Sequence, residues 1–468
     1  MLLITLLVPI MAERFLSYSE TAKTESASVY GDIDDYLYYF VDLEIGTPPQ
    51  RTSVIIDTGS AIGAFPCSGC SHCGSHLDQA FNVQHSSSAV WITCKSSDCF
   101  SKSCDRDHCS YEQSYREGSK IQGWFFSDLV SLGDVTDKNP ATRAEFGCHS
   151  LEEKMFYEQR ANGIMGMAPR RDGKPPTFLD NLFHSPQISK SIFSLCLSPQ
   201  GGELVVGGAN STRHSAEPVW TDMEIGQYYS IKPQSLSFGG VSLGTQFGTN
   251  SIVDSGTTFT YLPPSIYTGV IDQIKLKCNS GACSGSRPSG EKCWTAVEGF
   301  PSMTWKFVDG VEWVWPAKDG YMYFKKSSQL WCYAFEDSQF IETVFGASFF
   351  VNSDLIFDIN AKKLGLAPAN CPRVVTRPNL EPSTVSSTAA PPSLPPSLPS
   401  PVTPPVSTPV STPISSPAST VTGSYFLLIG FFAIGGFVYA ARKRRVVAPV
   451  ESVRLTAMVG APLENWSV

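Results

Sequence analysis

The stretch Val54-Ile55-Ile56-Asp57-Thr58-Gly59-Ser60 decides the fold, because Ser251-Ile252-Val253-Asp254-Ser255-Gly256-Thr257-Thr258 repeats its plan in the second half of the chain. Each is an apolar strand that runs into Asp, a hydroxyl residue, Gly and a second hydroxyl residue. Each is followed by an apolar-apolar-Gly element: Ile164-Met165-Gly166 ends 109 residues after Asp57, and Val344-Phe345-Gly346 ends 92 residues after Asp254. A single Asp-x-Gly is ordinary turn chemistry. Two copies in the same context describe two lobes of one plan with a cleft between them.

The residue types point to a carboxylate pair. Gly59 and Gly256 let the backbone turn sharply and offer amides to a carboxylate, and Thr58, Ser60, Ser255 and Thr257 supply hydroxyls. If the turns face each other, Asp57 and Asp254 share one space, and two carboxylates at hydrogen-bond distance cannot both ionise cheaply. One proton is then held by the pair, which titrates as a unit. Such a dyad can take a proton from water while giving one to a peptide carbonyl, which is hydrolysis without a covalent intermediate. The expected partner is a polypeptide, and no metal or organic cofactor is implied.

Outward from the repeat, strand signals dominate. Tyr38 to Ile45, Ser53 to Ile56, Gly123 to Leu132, Glu203 to Val206, Val311 to Trp315 and Asp354 to Phe357 are β-branched or aromatic runs bounded by turn residues. Helical periodicity is confined to short pieces such as Ser265 to Lys277. The expected fold is all-β and bilobal, with lobes over residues 30–215 and 216–371.

The 468 residues are 42% hydrophobic and 17% charged, enough for a sizeable core, and a formal charge of -8 argues against a general nucleic-acid binder. Fourteen cysteines, none beyond Cys371, imply a disulfide framework in an oxidising compartment. Residues 1–12 (MLLITLLVPIMA) have the length and polarity of a signal peptide, and residues 13–29 form a short N-terminal segment. Between Pro372 and Pro417 fourteen prolines lie among Ser, Thr and Val, so residues 372–420 read as an extended stalk. Residues 421–441 are uncharged and apolar and run into Arg442-Lys443-Arg444-Arg445, the pattern of a transmembrane helix with stop-transfer charges. Residues 442–468 would then be cytosolic, giving a single-pass type I protein of the endoplasmic reticulum, another endomembrane or the cell surface. The tail has five Arg or Lys and two Glu, so the remainder carries -11. Asn210-Ser211-Thr212 is the one sequon on the lumenal side.

At these residues the sequence resembles the pepsin-like aspartic proteases, from Tyr39 to Cys371. Tyr39 to Gln50 resembles the family's entry strand, and Phe349-Phe350 with Leu355 to Asp358 and Leu364 to Ala367 resembles its C-terminal strands. The resemblance implies that Asp57 and Asp254 are catalytic, supported by Ser60 and Thr257. It also implies a β-hairpin flap over the cleft, with Tyr115 as its tyrosine and Glu117, Gly118 and Ser119 beside it. The family places a Trp seven residues after the first Asp to bond that tyrosine. Here Ala64 stands there, leaving Phe65 or Trp124 to fill the space.

A cysteine-rich insert over residues 67–109 is similar to that of nepenthesin-like enzymes. Phe65-Pro66-Cys67, Gln113-Ser114-Tyr115 and Gly147-Cys148-His149 are similar to the membrane-anchored plasmepsin V branch. That likeness implies cleavage near a basic residue and Leu, for which Glu117, Glu152 and Glu153 would be the carboxylates. The spacing Cys67-x-x-Cys70-x-x-Cys73 near His72 and His76 is partly that of a zinc site, but the compartment favours disulfides. Cys196–Cys371, Cys293–Cys332 and Cys278–Cys283 are the expected later pairs. Cys67, Cys70, Cys73, Cys94, Cys99, Cys104, Cys109 and Cys148 would pair among themselves, with connectivity left open. The interval before Tyr30 is short and poor in basic residues, so no acid-triggered prosegment is expected. Two other readings stay open: a catalytically inactive binding or receptor protein of this fold, and a broad-specificity surface protease.

Overall fold

The computed structural model describes residues 23–378 apart from 116–117, 135, 171–173, 249–250, 282, 288–291 and 341. The signal, transmembrane and tail expectations, the expected stalk beyond residue 378, and Glu117 fall outside the described residues. Among the described residues no helix is long and apolar enough to cross a membrane.

The apolar run that carries Asp57 forms the strand Gln50–Asp57 at the heart of a 15-stranded sheet. It pairs antiparallel with Tyr38–Ile45 and parallel with Gly163–Gly166, with Asp57 opposite Gly166. Burial of all its last six residues explains why Thr52 to Ile56 are small or β-branched with no exposed face. The second half repeats the arrangement. Ser251–Val253 pairs parallel with Val344–Phe345, so the apolar-apolar-Gly elements lie directly beside the aspartate strands in both halves.

The sheet does not stop at the expected lobe boundary. Ser353–Asp358 pairs with Ile192–Leu197 of the first half, while Lys363–Pro368 pairs with Val219–Asp222 just past the expected boundary. This is long-range pairing that local pattern cannot reveal. A further tie joins the loop after Asp32 to the second half: Lys326 Nζ lies 3.0 Å from both Asp32 and Asp35.

The main core runs through both halves, including Phe65, Phe126, Phe146, Phe193, Trp305 and Phe357. A second cluster on the other face of the first-half sheet gathers Phe40, Ile55, Ala64, Tyr111, Phe125 and Phe156. Helices are few. The longest, Pro264–Asn279, covers the stretch read as helical and buries Ile266, Val270 and Ile274 at i, i+4 and i+8.

Both expected edges of the folded unit move outward. The strand Glu25–Asp32 begins before Tyr30 and is held between Gly202–Val206 and Tyr38–Ile45. Beyond Cys371, Arg377 donates Nε and Nη2 to the buried Asp42 at 2.6–2.9 Å and Nη2 to Asp78 at 2.5 Å, so the fold extends to that residue.

Seven disulfides close the framework: Cys67–Cys148, Cys70–Cys73, Cys94–Cys104, Cys99–Cys109, Cys196–Cys371, Cys278–Cys283 and Cys293–Cys332. No thiol of the Cys67, Cys70 and Cys73 group is left to bind zinc.

Candidate active site

The two Asp turns meet across the middle of the fold. Thr58 Oγ1 donates to the Val253 carbonyl at 2.8 Å and accepts from the Ser255 amide at 2.9 Å. Ser255 Oγ mirrors it, donating to the Ile56 carbonyl at 2.8 Å and accepting from the Thr58 amide at 3.1 Å. Four buried bonds therefore lock one turn to the other, and each small hydroxyl works as donor and acceptor at once.

Within each turn the carboxylate is held at both oxygens. Asp57 Oδ1 accepts from Gly59 N at 2.8 Å and Oδ2 from Ser60 Oγ at 2.5 Å. Asp254 Oδ1 accepts from Gly256 N at 3.0 Å and Oδ2 from Thr257 Oγ1 at 2.6 Å. Behind the turns, Met167 N donates to Asp57 O at 2.7 Å and Asp254 N to Phe345 O at 2.9 Å, so the apolar-apolar-Gly elements fix the backbones. Gly166 and Gly346 cannot be replaced without collision, since a Cβ there would run into the backbones of Ile62 and Phe259.

Asp57 is 4% and Asp254 2% exposed, and each carboxyl lies against the other's glycine. Burial first, and the charge of Asp57 second, hold the Asp254 carboxyl well above the usual carboxylate range. The pair is therefore suited to keep one proton where an ordinary carboxyl has lost its own.

The strands His108–Ser114 and Lys120–Leu132 form a hairpin, paired from Ser110 opposite Trp124 to Ser114 opposite Lys120. Its end closes through Tyr115 N to Ser119 O and Gly118 N to Tyr115 O, both 2.9 Å. Ser119 is buried, and its hydroxyl accepts from Met155 N at 3.2 Å. Gly118 is exposed at φ 89°, where a side chain would be strained and would meet Lys154.

The space beside Ala64 is taken neither by Phe65 nor by Trp124. Phe65 points to the opposite face, against Phe81, Phe126 and Phe146. Trp124 donates to Asp105 at 3.0 Å on the insert side. Phe156, from the short helix Met155–Glu158, packs its ring 5.0 Å from Tyr115 in the same cluster as Ala64. No periodicity marks Phe156 in the sequence, because one helical turn brings it there.

Glu152 differs from the expectation of a substrate-facing carboxylate: it is fully buried and bonded to His149, His76 and the Gly74 amide. Glu153 is half-buried at the strand end opposite Lys120. Asn210 is half-buried, and its Nδ2, the atom a glycan would take, donates to Glu203 at 3.0 Å. Among the described residues no cluster of three or more His, Cys, Asp or Glu is arranged to hold a metal.

The described geometry agrees with comparisons to known proteins. The model of the eukaryotic aspartyl protease family matches residues 38–369. Aspartic protease 5 of Toxoplasma gondii is 33% identical over 406 residues, covering 75% of this chain but 38% of that protein. Plasmepsin V of Plasmodium falciparum is 29% identical over 439 residues, covering 74% of each chain. The nepenthesin-1 of Nepenthes gracilis is 29% identical over 376 residues, covering 74% of this chain and 80% of its own.

Proposed function

The chain belongs to the eukaryotic aspartyl protease family, and on that premise we propose that it is a membrane-anchored aspartic endopeptidase of the secretory pathway that processes secreted or exported proteins. The observation that carries the chemistry is the matched pair of turns, with each carboxyl held by a glycine amide and a hydroxyl and each lying against the opposite turn's glycine. A water between them gives a proton to the ionised member as its oxygen attacks the peptide carbon. The shared proton passes to the carbonyl oxygen, which leaves a tetrahedral diol and restores a one-proton dyad. As the diol collapses the C–N bond breaks, the nitrogen leaves with the dyad's proton, and one diol hydroxyl gives its proton back to the pair as it becomes the new carbonyl. Because Thr58, Ser60, Ser255 and Thr257 are already oriented, little reorganisation accompanies these steps.

The secretory assignment is supported by seven disulfides, by the N-terminal apolar run and by the uncharged segment 421–441 with its basic flank. A preference for a basic residue near the cut rests on Glu117 and Glu153, with Glu152 withdrawn to a structural place.

Full-length protein and an Asp57→Asn control are incubated with a diverse peptide library from about pH 4 to about pH 8, and the cuts are read by mass spectrometry. Asp57-dependent cleavage beside a basic residue and Leu supports the reading. Asp57-dependent cleavage at broad apolar sites keeps the dyad and removes the processing role. Folded protein that cuts nothing is a binding protein.

A further inference from the structure

Glu152 gathers two histidines from distant parts of the chain. Its Oε1 lies 2.7 Å from His149 Nδ1, while Oε2 lies 3.0 Å from His76 Nε2 and accepts from Gly74 N at 3.0 Å. The side chains of His149 and Glu152 are fully enclosed, and that of His76 is 3% exposed. His149 and Glu152 are three apart in one strand and would normally face opposite sides. A bulge at Ser150, where Gln122 faces Leu151 and Gly123 faces His149, shifts the phase and turns both inward.

The contacts fix a proton count. The Gln159 carbonyl, 3.0 Å from His76 Nδ1, can only accept, so that nitrogen carries hydrogen. His76 Nε2 must then face an ionised carboxylate with a bare lone pair unless one more proton lies between them. His149 needs none, since Nδ1–H donates to Glu152 and Nε2 is buried without a partner among the described residues. The network thus holds one proton beyond two neutral imidazoles and a carboxylate.

This network lies under the flap. Ile121 is opposite Glu152 and Lys120 opposite Glu153 where the hairpin leaves the sheet. Phe156 touches both His149, with ring centres 6.2 Å apart, and the flap's Tyr115. On the other side, the Glu152 amide donates to His72 O at 2.8 Å, and Cys70–Cys73 and Cys67–Cys148 staple the insert around it.

We propose that His76, Glu152 and His149 are positioning residues for peptide hydrolysis, a latch whose single shared proton holds the root of the flap against the cysteine-rich insert. The proposal rests on the protease reading for its effect on catalysis, but not for its effect on the flap. The other titratable groups facing the latch are Tyr111 on the flap strand, its ring 6.4 Å from His149, and Tyr115 beyond it. Burial opposes the charge on His76, but the hydrogen bond and charge of Glu152 raise it above its ordinary value. Burial holds His149 below its ordinary value, and Glu152 is lowered because the histidine bonds outweigh its burial. The signs bound the latch on both sides. The His76 contribution is complete below an ordinary imidazole pKa and fades as pH rises through the raised one. Those of His149 and Glu152 fade as pH falls through their lowered ones.

Full-length protein is compared with Glu152→Gln, His76→Gln and the surface control His184→Gln in two measurements. In peptide cleavage from about pH 5 to about pH 9, Glu152→Gln and His76→Gln raise KM about tenfold, change kcat by less than about twofold and flatten the rise of KM on the alkaline side. His184→Gln matches the native protein. In amide hydrogen exchange, residues 110–125 of both latch variants exchange about tenfold faster, and native protection there falls as pH rises above neutral after correction for intrinsic rates. Folded variants with native KM profiles and native flap protection would overturn the proposal. If the native protein cleaves nothing, the protease reading fails and hydrogen exchange alone decides the latch. If the variants do not fold, a native flap whose protection is indifferent to pH sinks it.

Discussion

Gly59 stands so close to Asp254 that a Cβ on it would lie 2.5 Å from the Asp254 Oδ1, and Gly256 abuts Asp57 in the same manner. Each glycine therefore serves its own carboxylate through its amide and the opposite one through its lack of a side chain. Since Asp254 is pinned by Gly256 N and Thr257 Oγ1, it cannot yield without losing its alignment.

Gly59→Ala is expected to lower kcat/KM by about 10²-fold or more while the protein still folds, because the misplaced group is a carboxylate and not the core. Steady-state kinetics beside a melting curve check it. Activity within about twofold of native would show that the carboxylates adapt.

Asp254 is destabilising where it sits. Its carboxyl is raised by burial and by Asp57, so the folded state is penalised increasingly as pH climbs from the ordinary carboxylate pKa toward the raised one. Asp254→Asn is therefore expected to abolish cleavage yet melt several degrees higher than native near neutral pH, with the difference shrinking in acid. Calorimetry at acid and neutral pH tests this, and a variant less stable at neutral pH contradicts it.

Arg377 offers a test at the far end of the fold. Burial pushes Asp42 up to about 6, and the Arg377 hydrogen bond and charge restrain it. Arg377→Ala leaves Asp42 and Asp78 without that partner, and is expected to cost about 3–5 kcal/mol near pH 8. The loss should be smaller near pH 5, where Asp42 can take a proton. Urea unfolding at the two pH values measures both.

The Cys196–Cys371 bond spans 175 residues and ties the returning strands to the first half. Replacing both cysteines with Ser is expected to cost about 3–5 kcal/mol, since the open chain regains the freedom of a long loop. Activity at low temperature should persist, because the bond does not touch the dyad. Loss of activity in folded protein would assign it a role in the site.

The Asp turns, their hydroxyls and the long helix were legible because each is local: a strand, a turn and a period of side chains repeat within a few residues. Phe156 beside Tyr115, Arg377 on Asp42 and the buried Glu152 were not. Each depends on contacts between segments far apart in the chain, and Glu152 on a single extra residue at Ser150 that reverses which face a strand presents.

The sequence by itself determined that two equivalent aspartates sit at the ends of two apolar strands, since residue type and spacing specify a turn that can hold a carboxylate. Only the tertiary structure decided which side chains support the flap and that packing reaches past Tyr30 and Cys371. Burial, strand phase and the pairing of charges are properties of surfaces brought together from segments apart in the chain, and no local pattern encodes them.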